Sequence, residues 1–477
     1  MSKLVHVVRL LALMLRICVL GASAQETAPP VRPQAGQPTA TFGSLSQPGN
    51  DNNGTGNSGH VPVVEVRTGG GEPRTTSGQD TALGTYMSGR SFLLPSVSLI
   101  SRLRSDSSDL GYGNRSTQSY LTGRLGLRRV SGRSELLLDY MGGGVISTGR
   151  DSTSSVIHML ELSRTVIGRR SSLLLWGAVS YLPESSFGFG EFASFSNAYF
   201  SGQPSGALIS TSASWSDGAT PNQTILTARA QRLSGTVLTR LVYKLSPRSS
   251  WNGSGSYGLL RFHGADYVNS SNFLFQTGYD YQASQRNTVS ILYRFNDFRF
   301  AHVSQGVGEH HVSLSFARRV NDQLHVHIGA GPSLIVFRTP LSGSATQMAW
   351  SVRSGLTYQI ERTALGLSYY RLLTGGSGVL VGAQTNQLQA TVERALTRMW
   401  QGSAALGYAR NQGFAQTVPG TGQMLLQSWY GTTRLSRRLS TGSNLSVGYG
   451  VRKQRSYGVT HEISLGLSWG LRPIALR

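Results

Sequence analysis

One hairpin, residues 346–373, constrains the fold of this chain more than any other stretch. From Met348 to Ile360 every second residue is apolar or aromatic except Ser354, and the residues between them are small or polar. After a polar pair the same alternation resumes. A period of two indicates β-strands. Each arm has about 14 residues, which exceeds the ~5–6 of an ordinary globular strand but suits a tilted strand that crosses a bilayer.

The same pattern recurs along most of the chain, between residues 93 and 470, and predicts about 18 strands, with 16–18 as the range. The sixth predicted strand spans residues 223–246. Every second connection is short, as at Gln285-Arg286, and the interleaved ones are mostly longer and rich in Gly, Ser and Asn. This alternation is typical of outer-membrane barrels with periplasmic turns and extracellular loops. The predicted fold class is therefore all-β, a transmembrane antiparallel up-and-down β-barrel with both ends in the periplasm.

Two further segments precede the predicted barrel. Residues 1–24 combine three basic residues, an interrupted apolar run and an Ala22-Ser23-Ala24 cleavage pattern, which predicts a secretory signal peptide. Residues 25–80 are rich in Pro, Gly, Asn and Thr and predict a disordered periplasmic linker. The barrel is assigned to residues 81–477. The only cysteine, Cys18, falls within the signal, so the exported chain would contain no disulfide and no thiolate site.

The charge balance is strongly basic. The whole chain carries a formal charge of +22, and loss of the three signal-peptide bases would leave +19. Such a balance usually indicates nucleic acid or an anionic membrane as a partner. Here the arginines are scattered singly along the predicted strands, and no nucleic-acid-binding module is recognisable. We therefore expect no nucleic-acid partner.

Alternation also separates two faces of the predicted strands, one apolar and facing lipid, the other small, polar and facing the lumen. Nine bases fall on the predicted lumen face, against the four acids Asp139, Asp280, Glu393 and Glu462. These pore-lining candidates are Arg102, Arg124, Arg128, Arg229, Arg240, Lys244, Arg294, Arg353 and Arg452. A wet, net-positive lumen is one interpretation. The other is that the bases pair with acids on neighbouring strands and brace the wall.

One long segment, residues 183–221, lacks sustained alternation and contains many aromatic residues. Long loops of this kind are usually functional or disordered, and the aromatic content argues against disorder. We predict that it folds into the mouth of the barrel as a constriction loop. An alternative is a short surface hairpin that caps the rim. The candidate constriction residues are Phe187, Phe189, Glu191, Phe192, Tyr199, Phe200 and Trp215.

No catalytic motif is recognisable in the sequence. There is no phosphate-binding loop, dinucleotide fingerprint, H-E-x-x-H motif or nucleophile elbow. His310 and His311 beside Glu309, or His325 with His327, could suggest a metal, but adjacent residues of a strand point in opposite directions. We therefore expect polar lumen residues here, no enzyme activity, no metal and no cofactor.

With its signal, its even series of hairpins and stretches such as residues 245–250 and 256–260, the chain resembles bacterial outer-membrane β-barrel proteins of the porin-like kind. In detail it resembles the large exported barrels of acidobacteria. The resemblance implies location in the cell outer membrane, contact with its lipids and assembly by the barrel-insertion machinery. One departure is that residues 470–477 follow Trp469, whereas such barrels commonly end in an aromatic residue.

Two functions are consistent with these features. The first is a channel for small or anionic solutes or oligosaccharides, selected by the lumen bases and the long loop. The alternative is an outer-membrane component of an exopolysaccharide secretion or assembly system. In that case residues 25–80 would recruit a periplasmic protein partner.

Overall fold

The structure is a computed structural model, and it describes ten ranges of the chain. The predicted signal peptide and linker lie outside these ranges, as do residues 183–230, which include Arg229 and all seven predicted constriction residues. The described ranges are 91–107, 113–148, 154–182, 231–263, 267–301, 305–339, 343–375, 380–413, 425–454 and 458–476.

Within these ranges the chain forms one antiparallel sheet of 19 strands. Most strands have 12 to 19 residues, and only the last is short. Their bounds are β1 Ser91–Ser107, β2 Gly113–Ser131, β3 Ser134–Thr148, β4 Ser154–Ile167, β5 Ser171–Leu182, β6 Arg232–Ser246, β7 Ser249–Phe262, β8 Ser270–Gln282, β9 Asn287–Phe300, β10 Gly306–Arg319, β11 Leu324–Thr339, β12 Gly343–Ile360, β13 Thr363–Thr374, β14 Ala383–Ala395, β15 Trp400–Gly413, β16 Leu425–Arg438, β17 Ser443–Gln454, β18 Gly458–Gly470 and β19 Ile474–Leu476. No helix in the described part of the chain is long and apolar enough to span a membrane.

The sheet closes on itself between the first and last long strands. Each strand from β1 to β18 pairs with its neighbours in sequence, and β1 also pairs with β18, in a register that sets Val97 opposite Trp469. The short strand β19 continues this seam, with Leu476 opposite Ser91. Residues after Trp469 therefore extend the pairing along β1. Because β1 and β18 pair with each other, the backbone N–H and C=O groups of both end strands gain hydrogen-bonding partners, as a lipid environment requires.

The two ends of the barrel differ in their connections. At one end, here called the turn end, hairpins from β2–β3 to β16–β17 are joined by two to four residues. Two of these turns use a left-handed backbone, at Gly132 with φ 56° and Glu361 with φ 40°. The opposite end, the loop end, carries the mostly longer connections, up to the 49 residues between β5 and β6. Both the start of β1 and β19 lie at the turn end, as an even strand number requires.

Burial alternates along the strands and fixes which face points inward. In β8 the residues Phe273, Phe275 and Tyr279 are 41–47% exposed, whereas the intervening Asn272 and Gln276 are 1% and 3% exposed. The apolar side chains thus lie outside the barrel and the polar ones inside. This inversion of the usual soluble arrangement is expected for a barrel whose surrounding solvent is lipid.

Three tyrosine–histidine pairs lie on the outward face of the described strands. Tyr293 on β9 and His310 on β10 lie with Oη and Nδ1 2.9 Å apart. The same diagonal contact joins Tyr140 to His158 at 3.0 Å, and Tyr449 to His461 at 2.8 Å. Because hydrocarbon offers no hydrogen-bonding partner, such mutual pairing lowers the cost of keeping these polar side chains on the lipid-facing surface.

The predicted fold class and the predicted strand number of about 18 are confirmed. The predicted hairpin in residues 346–373 is β12 and β13. The sixth predicted strand began at residue 223, and of that segment the structure describes β6 from Arg232 onwards. The assignment of residues 1–24, 25–80 and 81–477 to signal, linker and barrel stays a prediction.

Candidate functional site

The inward face of the barrel is the candidate site, because strand alternation gathers most of the acidic side chains of the described strands there. Thirteen bases and eight acids occupy inward positions of the described strands. The bases are Arg102, Arg104, Arg124, Arg128, Arg232, Arg240, Lys244, Arg294, Arg319, Arg353, Arg434, Arg438 and Arg452; the acids are Asp106, Glu135, Asp139, Glu161, Asp280, Glu309, Glu393 and Glu462. The described inward wall therefore has a formal excess of five positive charges.

Eight of the nine predicted pore-lining bases lie in described strands, and each occupies an inward position. Their environments differ. Arg102, Arg240, Arg294 and Arg452 are 1–6% exposed, whereas Arg124, Arg128, Lys244 and Arg353 are half-buried. The ninth, Arg229, lies outside the described residues. Whether these residues line a conducting path stays a prediction.

The first inward ion-pair cluster joins β2 to β3. The Nε of Arg124 donates to Oδ1 of Asp139 at 2.7 Å, and a second contact from its Nη2 to the other carboxylate oxygen completes a bidentate pair. Four residues further along β2, towards the turn end, the Nε of Arg128 donates to Oε1 of Glu135 at 2.7 Å. Bidentate pairing fixes both side chains along the wall. These two bases therefore brace neighbouring strands.

A second cluster spans four strands, from β9 to β12, and centres on the fully buried Glu309. Arg294 Nη2 lies 3.5 Å from one carboxylate oxygen of Glu309. Ser333 Oγ donates to the other oxygen at 3.0 Å, and Ser351 Oγ lies 2.7 Å from Ser333 Oγ. His311 Nδ1 is 3.0 Å from Ser333 Oγ. A buried carboxylate with one cation and a hydroxyl donor is well compensated.

A third cluster crosses the seam where the barrel closes. Arg102 on β1 lies 3.7 Å from Glu462 on β18 through its Nε. Arg104 donates to Asp106 at 2.9 Å, and Thr460 on β18 donates to the same oxygen of Asp106 at 2.7 Å. The seam is therefore joined by inward charges as well as by the backbone ladder.

The histidines that could suggest a metal are divided between faces. His310 is exposed on the outward face, and its neighbour His311 is buried on the inward face beside Glu309. This is the opposite orientation that strand geometry predicts. Among the described residues, no three His, Cys, Asp or Glu side chains are grouped as metal ligands.

Sequence reasoning missed several inward charges. Asp106, Glu135, Glu161 and Glu309 each lie an even number of residues from the other inward residues of their strands, and therefore face the lumen. Glu309 was grouped with the adjacent histidines as a possible metal site. Its spacing of two residues from His311 places both side chains on the same, inward face. Glu161 accepts a hydrogen bond from Trp176 Nε1 at 2.7 Å. Strict use of the period of two over every strand would have found these residues.

The chain forms a closed antiparallel barrel of 18 long strands, whose outward face is apolar and whose inward face is polar and charged. The described strands have the architecture of a transmembrane antiparallel β-barrel; in bacterial outer-membrane barrels the short turns face the periplasm and the longer loops face outside the cell.

Several solved structures from Pseudomonas aeruginosa are similar to the chain. OccK5 (OpdH) is 13% identical over 81% of this chain and 99% of that chain, with a TM-score of 0.42. OccK9 (OpdG) is 9% identical over 81% and 98%, with a TM-score of 0.43. OpdK with vanillate is 11% identical over 79% and 98%, with a TM-score of 0.37. No protein-family model and no curated protein sequence matches the chain.

Proposed function

We propose that the chain is a passive channel that admits small anionic solutes across the outer membrane. The observation that carries this proposal is the inward wall, where thirteen bases face eight acids in the described strands. A surplus of fixed positive charge around a narrow aqueous path raises the local concentration of anions and lowers that of cations.

The inward bases divide into two groups with different consequences. Arg102, Arg124 and Arg294 each contact a carboxylate, and 2–8% of each of these side chains is exposed. Their charges are compensated locally, so they mainly hold the wall together. Lys244 and Arg353 are half-buried on the inward face, and they are therefore more exposed to the lumen than the buried Arg102 and Arg294. We assign the selectivity chiefly to these two side chains.

The strand number supports an aqueous path. Barrels of about 8 strands are filled by their own side chains, whereas porins of 16–18 strands leave a water-filled channel. The 18 long strands of this chain belong to the second group. Outer-membrane lipids surround such a barrel, and assembly by the barrel-insertion machinery is part of the proposal. A role for residues 25–80 in binding a periplasmic partner also remains a proposal.

Solute uptake into proteoliposomes tests this function. The purified protein is reconstituted, and the entry of a small dicarboxylate is compared with that of a diamine of matched size. The proposal predicts faster entry of the dicarboxylate. Both solutes should enter liposomes without the protein more slowly than proteoliposomes. Equal rates, or faster diamine entry, would exclude an anion-preferring channel.

A further inference from the structure

The outward face of the barrel also carries charge, and its sign is almost uniform. Twelve bases and a single acid, Asp297, occupy outward positions in the described strands. The bases near the loop end are Arg115, Arg261, Arg299, Arg338, Arg371, Arg410 and Lys453; those near the turn end are Arg129, Arg164, Arg318, Arg394 and Arg437. Residues that are scattered in sequence are thus collected by the fold into two exterior basic belts.

At the loop end, every second strand from β7 to β17 runs towards that end and carries one base of this belt. Arg261, Arg299 and Arg338 are the penultimate residues of β7, β9 and β11. Each therefore lies at the same position of its strand, at the outer rim of the exterior surface. The side chains of Arg299 and Arg338 are 76% and 51% exposed.

Two of these arginines converge on one buried carboxylate. Arg299 Nε lies 3.1 Å from Oδ2 of Asp297, and Arg338 Nη2 lies 2.7 Å from Oδ1. Asp297 itself is 6% exposed. Each guanidinium uses one nitrogen in this contact, and the other N–H groups have no partner among the described residues. The two exposed guanidinium groups are therefore held at the same carboxylate, and the three side chains together have a net charge of +1.

A glycine makes this arrangement possible. Arg338 on β11 reaches Asp297 on β9 by crossing β10 at Gly308, which is opposite both Asp297 and Val336 in the strand register. A Cβ at Gly308 would lie 3.0 Å from the Arg338 Nη2 atom. A side chain at this position would require the Arg338 guanidinium to shift by a few tenths of an ångström. Gly308 thus leaves room for the Arg338 side chain to cross β10 and reach Asp297.

The arginine pair lies where the apolar surface of the barrel ends. Phe273, opposite Asp297 in the register between β8 and β9, is 47% exposed on the outward face. Phe275, the next outward residue of β8 towards the turn end, is 43% exposed. An acyl chain would lie against these rings, and a headgroup attached to it would reach the level of Arg299 and Arg338.

We propose that Arg299, Arg338 and Asp297 form a binding site for the phosphate group of a lipid in the extracellular leaflet. Guanidinium forks match the geometry of phosphate oxygens and form charge-assisted bidentate contacts with them. The carboxylate of Asp297 orders both forks before the lipid arrives, which lowers the entropy lost on binding. The position at the edge of the apolar band favours a lipid-borne phosphate over a free one.

The proposal is tested by native mass spectrometry of the detergent-solubilised full chain with added diphosphoryl lipid A. The wild type is expected to retain this lipid and to bind the same lipid stripped of its phosphates at least about tenfold more weakly. The double variant R299Q/R338Q should bind diphosphoryl lipid A about tenfold more weakly than the wild type. An excess of inorganic phosphate should leave lipid binding unchanged.

The matched control is R129Q/R318Q, which removes two exposed outward arginines from the turn end and changes the net charge by the same amount. It should bind as the wild type does. Equal losses in the two double variants would reduce the effect to overall charge and overturn the site. Equal binding of the phosphate-free lipid, or unchanged binding by R299Q/R338Q, would overturn it as well. Heat-modifiable migration verifies that each variant is a folded barrel.

A further variant separates geometry from charge. Asp297→Asn makes the site more positive but removes the carboxylate that orders the two forks. The proposal expects weaker binding of diphosphoryl lipid A by D297N. Stronger binding by this variant would show that charge alone holds the lipid and would contradict a built site.

Discussion

Arg294 on β9 and Glu309 on β10 face each other inside the barrel, with Nη2 and Oε2 3.5 Å apart and 3% and 0% of their side chains exposed. Ser333 completes the compensation of the carboxylate. A buried ion pair adds little net stability compared with an apolar substitute, because desolvation offsets the attraction. Removal of one partner is costly, since the other is left as a buried unpaired charge.

We therefore predict that R294Q lowers the free energy of unfolding by about 3–5 kcal/mol. The measurement is urea unfolding of the barrel in lipid vesicles. The double variant R294Q/E309Q should recover most of this loss, because neither charge remains. A single variant as stable as the wild type, or a double variant no better than the single one, would show that the pair is not coupled.

A second prediction concerns close packing inside the wall. Gly407 on β15 is opposite Tyr430 on β16, and a Cβ at residue 407 would overlap the ring of Tyr430, which is 4% exposed. Overpacking of this kind typically costs about 1–3 kcal/mol. Gly407→Ala should lower the unfolding free energy by that amount in the same assay. Gly144→Ala is the control, because nothing lies within 4 Å of the added carbon there, and it should unfold as the wild type does.

Deletion of residues 25–80, with the signal kept, should leave a barrel that still inserts. The segment is polar and rich in Pro and Gly and offers no apolar face to bury. The measurement is heat-modifiable migration of protein extracted from outer membranes. Failure of the shortened chain to reach the membrane would make the segment part of the fold or of its assembly.

The sequence predicted most of the barrel because its strongest signal is local. A period of two in each strand decides both the strand and its two faces, so β12 and the inward position of Arg353 could be predicted without knowledge of any neighbour. The pairing of Arg294 with Glu309 could not, because a diagonal contact depends on the register between two strands.

The exterior belts were missed for a related reason. Arg261, Arg299 and Arg338 are separated by about 40 residues each and look isolated in the sequence. Only the barrel register brings Arg299 and Arg338 to the same carboxylate. The fold gathers these scattered bases near the two ends of the outward face.

The predicted constriction loop is tested by deletion of residues 186–215. If the aromatic segment narrows the mouth, single-channel conductance in planar bilayers should rise, since the narrowest part of a pore dominates its resistance. The deletion variant should also keep the heat-modifiable migration of the intact barrel. Conductance equal to that of the full chain would favour the alternative, a hairpin that only caps the rim.

Charge selectivity tests the central claim most directly. The reversal potential is measured in planar bilayers under a salt gradient for the wild type, for K244Q/R353Q and for the exterior control R129Q/R318Q. The two variants lose the same charge, but only the first loses it from the inward wall. The buried arginines at 240 and 294 are left in place, so that a change in selectivity is not confused with loss of the fold.

We predict an anion-selective wild type, a shift towards cation preference in K244Q/R353Q, and a control that matches the wild type. The preference should weaken as the salt concentration rises beyond 0.1 M, where the Debye length is about 10 Å. A cation-selective wild type, or a reversal potential in K244Q/R353Q that equals that of the wild type, would contradict an anion channel governed by these inward bases.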